Sequence, residues 1–304
     1  MFRASIVQSS KDNSDIALSR RDLPLALRSI PDPPLRIYCR GDPGVLDRPA
    51  VAIVGSRRCT RQGREMAFAL AHGLVARGVS VVSGLAYGID AAAHRGALAA
   101  LREASVSEAS RRAATIAVLG SGLDNIYPRS HTDLAAEIVA AGGALLSEHE
   151  PHEGPRKHHF PARNRIVSGL CLGVVIVEAS DKSGSLITAR MALEQGRDVM
   201  AVPSLVSSPL STGCHRLIRQ GAALVETTEH VLEALGLEWT EHEETAAVPT
   251  DPVFEAVGAT VTSLDEIIAV TGIGVEAVLE RLMELEIDGL VAEHGGGYIR
   301  RPGH

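Results

Sequence analysis

The sequence predicts a doubly wound α/β domain with a mostly parallel sheet, followed by a small C-terminal winged-helix domain. Between residues 49 and 236, short apolar runs alternate with amphipathic segments, which is the pattern of βα units in a parallel sheet. The runs are continuously apolar, as expected of strands that are buried on both faces. Beyond residue 249 the pattern changes to three short helices and a hairpin.

Residues 1–48 are predicted to be a lead-in, because they contain five prolines and no sustained periodicity. The first strand is predicted at 51–54, and a helix at about 61–77 places Leu70, Leu74 and Val75 on one face. Further strands are predicted at 79–82, 115–119, 144–146, 173–177, 199–202 and 223–225. Residues 103–113 are polar and rich in Ala and Ser, and are predicted to be a surface insertion.

The C-terminal region begins with an acidic linker at 237–249, and the winged-helix domain is expected at 250–304. Helices are predicted at 252–257, 263–270 and 275–287, the second of them starting with a Ser263-Leu-Asp-Glu266 capping box. A run at 290–293, a glycine turn at 295–297 and a run at 298–300 predict the hairpin.

Composition limits the class of protein. Of the 304 residues, 45% are hydrophobic and 22% are charged, as in an ordinary globular protein. No apolar run approaches 18 residues, and the first 11 residues lack the apolar stretch of a signal peptide. The four cysteines are scattered without a CxxC pair, so we expect a cytoplasmic protein without disulfides or a membrane partner.

The net charge of −7 conceals an uneven distribution. The segment from residue 237 onward has 14 acids and 3 bases, a net charge of −11, which leaves +4 on residues 1–236. Of the 30 bases 27 are Arg, a side chain suited to bidentate phosphate contact. Codon bias in a GC-rich genome explains the same excess, so the Arg content alone does not indicate a ligand.

Five turns that could bind anions follow predicted strands, and in an open α/β sheet ligands bind at this edge. Each could also be an ordinary turn, a helix cap or a solvated loop. The GxGxxG and GxxxxGK[ST] nucleotide motifs are absent. Five such turns along one sheet edge would form a long groove, which suits a polymer better than a mononucleotide. The five turns are 55–57, 83–90, 156–165, 178–189 and 202–204 with 211–218.

The run at 156–165 is the most basic decade of the chain, and it places Phe160 among four cations. Cations can bind phosphates while an aromatic face stacks on a base. His158 and His159 have no Cys or carboxylate partner at ligand spacing, so no metal site and no cofactor are expected. Asp90 and His94 lie four residues apart and could act as an acid–base pair, although a hydrogen bond at the helix start explains them more simply.

At these motifs the sequence resembles the DNA-processing protein A (DprA/Smf) family. The resemblance extends from about residue 35 to 235, with a winged-helix tail as in many members. It rests on VAIVGSR (51–57), SGLAYGIDAAAH (83–94), VLGSGLDNIYP (118–128), FPARNRIVSG (160–169), SGSLITA (183–189) and GRDVMAVP (196–203). The chain departs from the family pattern at Ser204, where Gly is usual, and at His215, where Asn is usual.

The resemblance implies an extended Rossmann-like domain and a homodimer. It implies a non-catalytic protein that binds single-stranded DNA, protects incoming DNA and loads a RecA-type recombinase during natural transformation. As such it would be a recombination mediator in competence and homologous recombination. The residues it places in the DNA-binding groove are Arg57, Phe160, Arg163, Asn164, Arg165, Lys182, Ser183, Gly184 and Ser185, with Gly55, Ser56, Gly84, Arg156 and Lys157 as secondary candidates.

Two other functions are compatible with parts of the sequence: a nucleotide hydrolase and a transcription factor. An enzyme that hydrolyses nucleotide N-glycosidic bonds on a related fold would need a free carboxylate, for which Glu178 is the candidate, but SGSLITA lacks the PGGxGTxxE arrangement of those hydrolases. A winged-helix transcription factor is disfavoured because a segment with a net charge of −11 would be repelled by duplex phosphates. The tail is therefore interpreted as a protein-contact or regulatory module.

Overall fold

A computed structural model describes residues 15–103, 113–237, 251–258, 261–294 and 296–300. The chain divides into two compact units, Met1–Glu238 and Trp239–His304. Most of the predicted insertion (104–112) and of the acidic linker (238–249) lies outside the described residues. Among the described helices, none is both long enough and apolar enough to cross a membrane.

The first unit is built on a nine-stranded sheet in the order β1-β2-β6-β5-β4-β3-β7-β8-β9. Strand β2 pairs antiparallel with β1 and with β6, and the other neighbours are parallel. The predicted fold class is thus confirmed. The strands are β1 (Ile16–Ser19), β2 (Arg36–Gly41), β3 (Ala50–Gly55), β4 (Ser80–Ser83), β5 (Thr115–Val118), β6 (Ala144–Ser147), β7 (Gly173–Val177), β8 (Asp198–Ala201) and β9 (Ala223–Leu224).

Helices connect the parallel strands and cover both faces of the sheet. They are α1 (Leu25–Arg28), α2 (Arg61–Ala76), α3 (Ile89–Arg102), α4 (Thr132–Ala140), α5 (His159–Gly169), α6 (Ser185–Glu194), α7 (Thr212–Arg219) and α8 (Thr228–Ala234). Short 3-10 turns lie at Pro43–Asp47 and Arg129–His131.

The burial of successive strand residues shows that the sheet lies between two helical layers. On β5, Ile116 and Val118 belong to one apolar cluster and Ala117 to another, because neighbouring side chains of a strand face opposite sides. The first cluster contains Ile166 of α5, and the second contains Leu98 of α3. Both faces are buried, as the continuously apolar runs predicted.

The expectation that residues 1–48 precede the sheet domain does not hold in the structure. Strand β2 places Cys39 opposite Leu146 of β6, and β1 adds an edge strand next to it. The five prolines of this segment all lie outside the two strands. The sequence signal was weak because β2 combines a buried Ile-Tyr-Cys core with Arg at both ends, and β1 is an edge strand of four mostly exposed residues.

The second unit contains α9 (Pro252–Ala256), α10 (Leu264–Thr271), α11 (Val275–Ile287) and the hairpin of β10 (Val291–His294) and β11 (Gly297–Arg300). The predicted capping box is present: the Ser263 hydroxyl accepts from the Glu266 backbone amide, and the Glu266 carboxylate accepts from the Ser263 backbone amide. Phe254, Ile267, Leu282 and Val291 form a separate apolar core. These elements match the predicted winged helix.

The order of the strands creates a switch point next to β3. The chain proceeds from β3 through β4, β5 and β6 on one side, and then crosses to place β7 on the other side of β3. At such a point the loops after the two central strands diverge and leave a crevice outside their carboxyl ends. Helix α5 lies on the crossover from β6 to β7, so its residues can line this crevice.

Candidate functional site

A cleft of about 620 Å³ lies at the carboxyl ends of β3, β4 and β7. Its walls are the turn after β3, the turn after β4, the first half of α5 and the turn between β7 and α6. Four of the five turns singled out in the sequence therefore meet in one place. The fifth turn, 202–204 with 211–218, contributes none of its own residues to the lining. Leu210, which lies between these two segments, lines the cleft instead.

The spacing along α5 explains which residues of the basic run reach the cleft. Phe160, Arg163, Asn164 and Val167 line it, and their positions i, i+3, i+4 and i+7 form one face of a helix. Arg165 lies on a different face and is absent from the lining. Counting the charges in the run does not separate Arg163, which lines the cleft, from Arg165, which does not. Helical spacing would have separated them.

The aromatic part of the cleft is a partly exposed cluster. The guanidinium carbon of Arg57 lies 5.7 Å from the centre of the Phe160 ring. The Tyr127 ring lies 5.4 Å from the Phe160 ring, and Tyr127 is 46% exposed. Phe160 is itself neither buried nor fully exposed. Arg57 thus lies over the Phe160 ring and Tyr127 packs against it at a tilt, while the partly exposed ring keeps further surface available for a ligand.

The charges around the cleft are unbalanced. Arg57, Arg58 and Lys157 line it, are exposed, and form no ion pair with any described residue. The carboxylate in the lining is that of Asp90, which is 6% exposed and accepts hydrogen bonds from the backbone amides of Gly84 at 3.1 Å and of Ala86 at 3.3 Å. The solvent-facing rim is therefore cationic, and an anion is the ligand it favours.

The start of α6 adds uncharged donors to the cationic rim. Ser183, Gly184 and Ser185 all line the cleft, with the two serine hydroxyls 2.7 Å apart. The N-terminus of α6 also carries the positive end of the helix dipole, which favours an anion. The backbone amides of Leu186 and Ile187 are already bonded to the carbonyl oxygens of Ser183 and Gly184, so the hydroxyls are the donors that this turn offers. The Asn164 side-chain amide lies 3.5 Å from the Gly184 carbonyl oxygen, so it connects α5 to this turn.

Arg163 lines the cleft as expected, but its side chain is buried and already hydrogen-bonded. Its side chain is 6% exposed, and its guanidinium donates to the carbonyl oxygens of Gly84, at 2.8 Å, and Val118. A Cβ added to Gly84 would lie 2.4 Å from the Arg163 guanidinium, so this approach requires glycine. Burial lowers the pKa of Arg163 to about 10, with nearby Asp90 opposing the change. Arg163 therefore forms the floor of the cleft and joins the ends of β4 and β5 to α5.

Three further expected contacts lie outside the cleft. Arg165 is bound by the Glu148 carboxylate at 2.6 and 2.9 Å and by Asp32 at 2.9 Å, so its cation is already neutralised. Arg156 pairs with Glu153 at 3.5 Å, and exposed Lys182 is not part of the lining.

Gly55, Ser56, Gly84 and Lys157 line the cleft as expected. At Gly55 a Cβ would lie 1.8 Å from the Val177 carbonyl oxygen, which explains the glycine where β3 and β7 approach each other. Sequence reasoning missed Arg58 and Tyr127 as lining residues. Arg58 directly follows the GSR turn, and Tyr127 lies within the quoted motif at 118–128, so both were within reach.

The candidate acid–base groups are engaged in structural contacts. The His94 ring is buried, its Nδ1 lies 2.7 Å from the Thr115 hydroxyl, and burial lowers its pKa to about 3. Glu178 is 5% exposed and accepts from the backbone amide of Thr60 at 2.8 Å and from the Thr60 hydroxyl. Glu178 thus anchors the start of α2 and does not line the cleft, so the hydrolase alternative loses its candidate carboxylate.

The two departures from the family pattern contact each other. His215 Nε2 on α7 lies 3.0 Å from the Ser204 carbonyl oxygen after β8. This contact holds the loop after β8 against α7.

Comparisons with known proteins agree with the fold and identify the family. The family described as DNA recombination-mediator protein A matches residues 15–236, and the DprA winged helix domain matches residues 238–297. The chain is 41% identical over 289 residues to Protein Smf of Escherichia coli, covering 91% of this chain and 74% of that protein. It is 45% identical over 209 residues to DNA processing protein DprA of Streptococcus pneumoniae, covering 69% and 70% of the two chains.

Two solved structures are similar as well. The X-ray structure of DprA from Streptococcus pneumoniae matches with a TM-score of 0.65 and 41% identity, covering 75% of each chain. A structure of DNA processing protein A from Helicobacter pylori, described in terms of its single-stranded DNA binding mode, matches with a TM-score of 0.62 and 32% identity. It covers 73% of this chain and 95% of that one.

The position of Arg163 predicts a stability effect. Replacing it by Met should destabilise the first unit by about 3 kcal/mol or more, because two buried carbonyls lose their donor and Asp90 loses its nearby cation. Chemical denaturation followed by circular dichroism measures the change. Lys182→Met, at an exposed site, is the matched control and should change stability by no more than about 0.5 kcal/mol. Equal stability of the two variants would contradict the structural role.

Proposed function

This chain belongs to the DNA recombination-mediator protein A family, and we propose that it binds single-stranded DNA in the cleft between β3, β7 and α5. The observation that supports the proposal most is the cationic rim around a partly exposed Phe160. Its exposed members Arg57, Arg58 and Lys157 have no ion-pair partner within the described part of the chain. Phosphates would contact the cations, and a base would stack on the ring. Both contacts tolerate any sequence.

The geometry also favours a single strand over a duplex. In a duplex the faces of the bases are covered by their neighbours, whereas in a single strand a base can turn toward Phe160 and Tyr127. The serine hydroxyls at the start of α6 would bind an adjacent phosphate, which the positive end of the helix dipole also favours. The Helicobacter pylori relative is described as binding single-stranded DNA, which supports the same assignment here.

The finer role follows from family membership. We infer that the protein acts in the cytoplasm as a homodimer, protects incoming single strands during natural transformation and loads a RecA-type recombinase onto them, without catalysing a reaction itself. A strand-exchange assay tests the loading step: the protein should allow a RecA-type recombinase to displace single-strand binding protein. If strand exchange by the recombinase is not faster at a saturating concentration of this protein, this role is contradicted.

The winged-helix unit is proposed to contact protein rather than DNA. Arg281 pairs with Asp251 and Glu284, and Arg300 donates to the carbonyl oxygens of Phe254, Val257 and Glu255. Both of its described arginines are thus committed to its own fold, while Arg301 lies outside the described residues.

Arg57→Ala should weaken single-strand binding equally for all sequences. Losing one phosphate contact should also reduce the slope of log affinity against log salt by about 0.7. Fluorescence anisotropy over a salt series measures both. Arg102→Ala is the matched control, because Arg102 is exposed at the far end of α3 and pairs with Glu137. An unchanged slope for Arg57→Ala would exclude Arg57 from the site.

Phe160→Ala should cost about 1–3 kcal/mol of binding free energy if a base stacks on the ring. Phe68→Ala on α2 is the control, since Phe68 is 39% exposed and does not line the cleft. Thermal unfolding of both variants separates stacking from packing: a lower melting temperature with normal DNA affinity would contradict the stacking role.

A chain ending at residue 236 should fold, because the first unit is compact and has large apolar clusters of its own on both faces of its sheet. Its affinity for single strands should hold or rise, most clearly at low salt, because a segment with a net charge of −11 is removed. Titration of both proteins with one labelled single strand measures this. A truncated protein that unfolds cooperatively but no longer binds would overturn the division of roles.

A further inference from the structure

The segment between β6 and α5 is rich in metal-ligating side chains. Residues 147–159 contain four histidines and three glutamates. The fold brings three of them together: His149, Glu153 and His159 each offer one ligand atom, and these atoms lie within 4.8 Å of one another. The sequence predicts no metal site at His159, because no Cys or carboxylate partner stands at ligand spacing. In the folded loop, however, Glu153 and His149 lie beside His159.

The distances within this cluster do not correspond to hydrogen bonds. Glu153 Oε2 lies 3.6 Å from His149 Nδ1, and Glu153 Oε1 lies 3.6 Å from His159 Nε2. Both separations are too long for a hydrogen bond. They are close to the spacing of about 3.4 Å between two donor atoms that share a tetrahedral zinc ion at bond lengths of about 2.0–2.1 Å.

His159 is an unsatisfied group at the centre of the cluster. The residue is 5% exposed, and its Nδ1 is buried without a hydrogen-bond partner among the described residues. Its Nε2 has no hydrogen bond to a described residue either, since the Glu153 carboxylate remains 3.6 Å away. The nitrogen nearest the Glu153 carboxylate is therefore without a hydrogen-bond partner among the described residues, and its lone pair is open to a metal ion.

We propose that His149, Glu153 and His159 form a zinc-binding site that connects the loop after β6 to the first turn of α5. Two imidazoles and one carboxylate are a donor set that zinc uses with water as the fourth ligand. Such a set is too rich in nitrogen for Mg²⁺ or Ca²⁺, which take oxygen ligands. Access is available from solvent, since the side chains of His149 and Glu153 are 19% and 28% exposed.

Small movements would complete the coordination. The His149 and His159 rings stack with centres 3.7 Å apart and planes 19° apart, so a rotation of the more exposed His149 ring is needed for both lone pairs to meet one ion. Arg156, which lies 3.5 Å from Glu153 and is 63% exposed, can turn into solvent.

The test is zinc binding to the full-length, chelator-treated protein, measured by competition with a fluorescent zinc chelator. The protein should bind one zinc ion per chain. His149→Gln and Glu153→Gln should each weaken binding by about 100-fold or more, because loss of a ligand should exceed the 10–100-fold effect of losing an outer hydrogen-bond partner. His152→Gln should bind normally, since His152 is 92% exposed and lies outside the cluster.

A second readout keeps folding separate from ligation. Zinc should raise the melting temperature of the unmodified protein and of His152→Gln, and should leave that of Glu153→Gln unchanged. If His149→Gln does not fold, Glu153→Gln decides alone, because its carboxylate makes no hydrogen bond to a described residue. Absence of stoichiometric binding, tight binding by Glu153→Gln, or an equal loss in His152→Gln would each overturn the proposal.

Discussion

The buried guanidinium of Arg163 is the contact on which the cleft depends. It reaches from α5 to the carbonyl oxygens at the ends of β4 and β5, and a glycine at position 84 leaves room for it. A buried cation is tolerated only with such partners, and the nearby Asp90 carboxylate provides the opposite charge. With α5 fixed in this way, Phe160 and Asn164, on the same helix face, are directed into the space beside β3 and β7.

The cations of this region fall into two groups with different roles. Arg163 and Arg165 are surrounded by carbonyls and carboxylates, so their charges stabilise the fold. Arg57, Arg58 and Lys157 line the cleft without an ion-pair partner among the described residues, so their charges are available to a ligand. Burial and pairing, rather than the number of bases in a stretch of sequence, separate the two groups. The same contrast explains why the second unit, whose described arginines are both paired internally, is assigned a different partner.

Much of this arrangement could be predicted from the sequence. Continuously apolar runs located the parallel strands, and the turns after them predicted the sheet edge at which the cleft lies. Strand β1 was missed because it is a short and mostly exposed edge strand. Strand β2 was missed because it is mixed in polarity and its pairing with β6 joins residues as distant in sequence as Tyr38 and Ser147. The partners of Arg165 were equally out of reach, since Asp32 and Glu148 approach it only in the folded chain. The cluster of His149, Glu153 and His159 likewise depends on the path of a loop, for which no local pattern exists.

Photo-cross-linking can show directly whether single strands bind in the cleft of the first unit. A single strand that carries 5-iodouracil at one position would be irradiated in complex with the full-length protein, and the attached peptide identified by mass spectrometry. If single strands bind in the cleft, attachment is expected at Phe160 or Tyr127, the aromatic side chains that line it among the described residues. Attachment confined to the winged-helix unit, or to aromatic residues such as Phe68 outside the cleft, would contradict binding in the cleft.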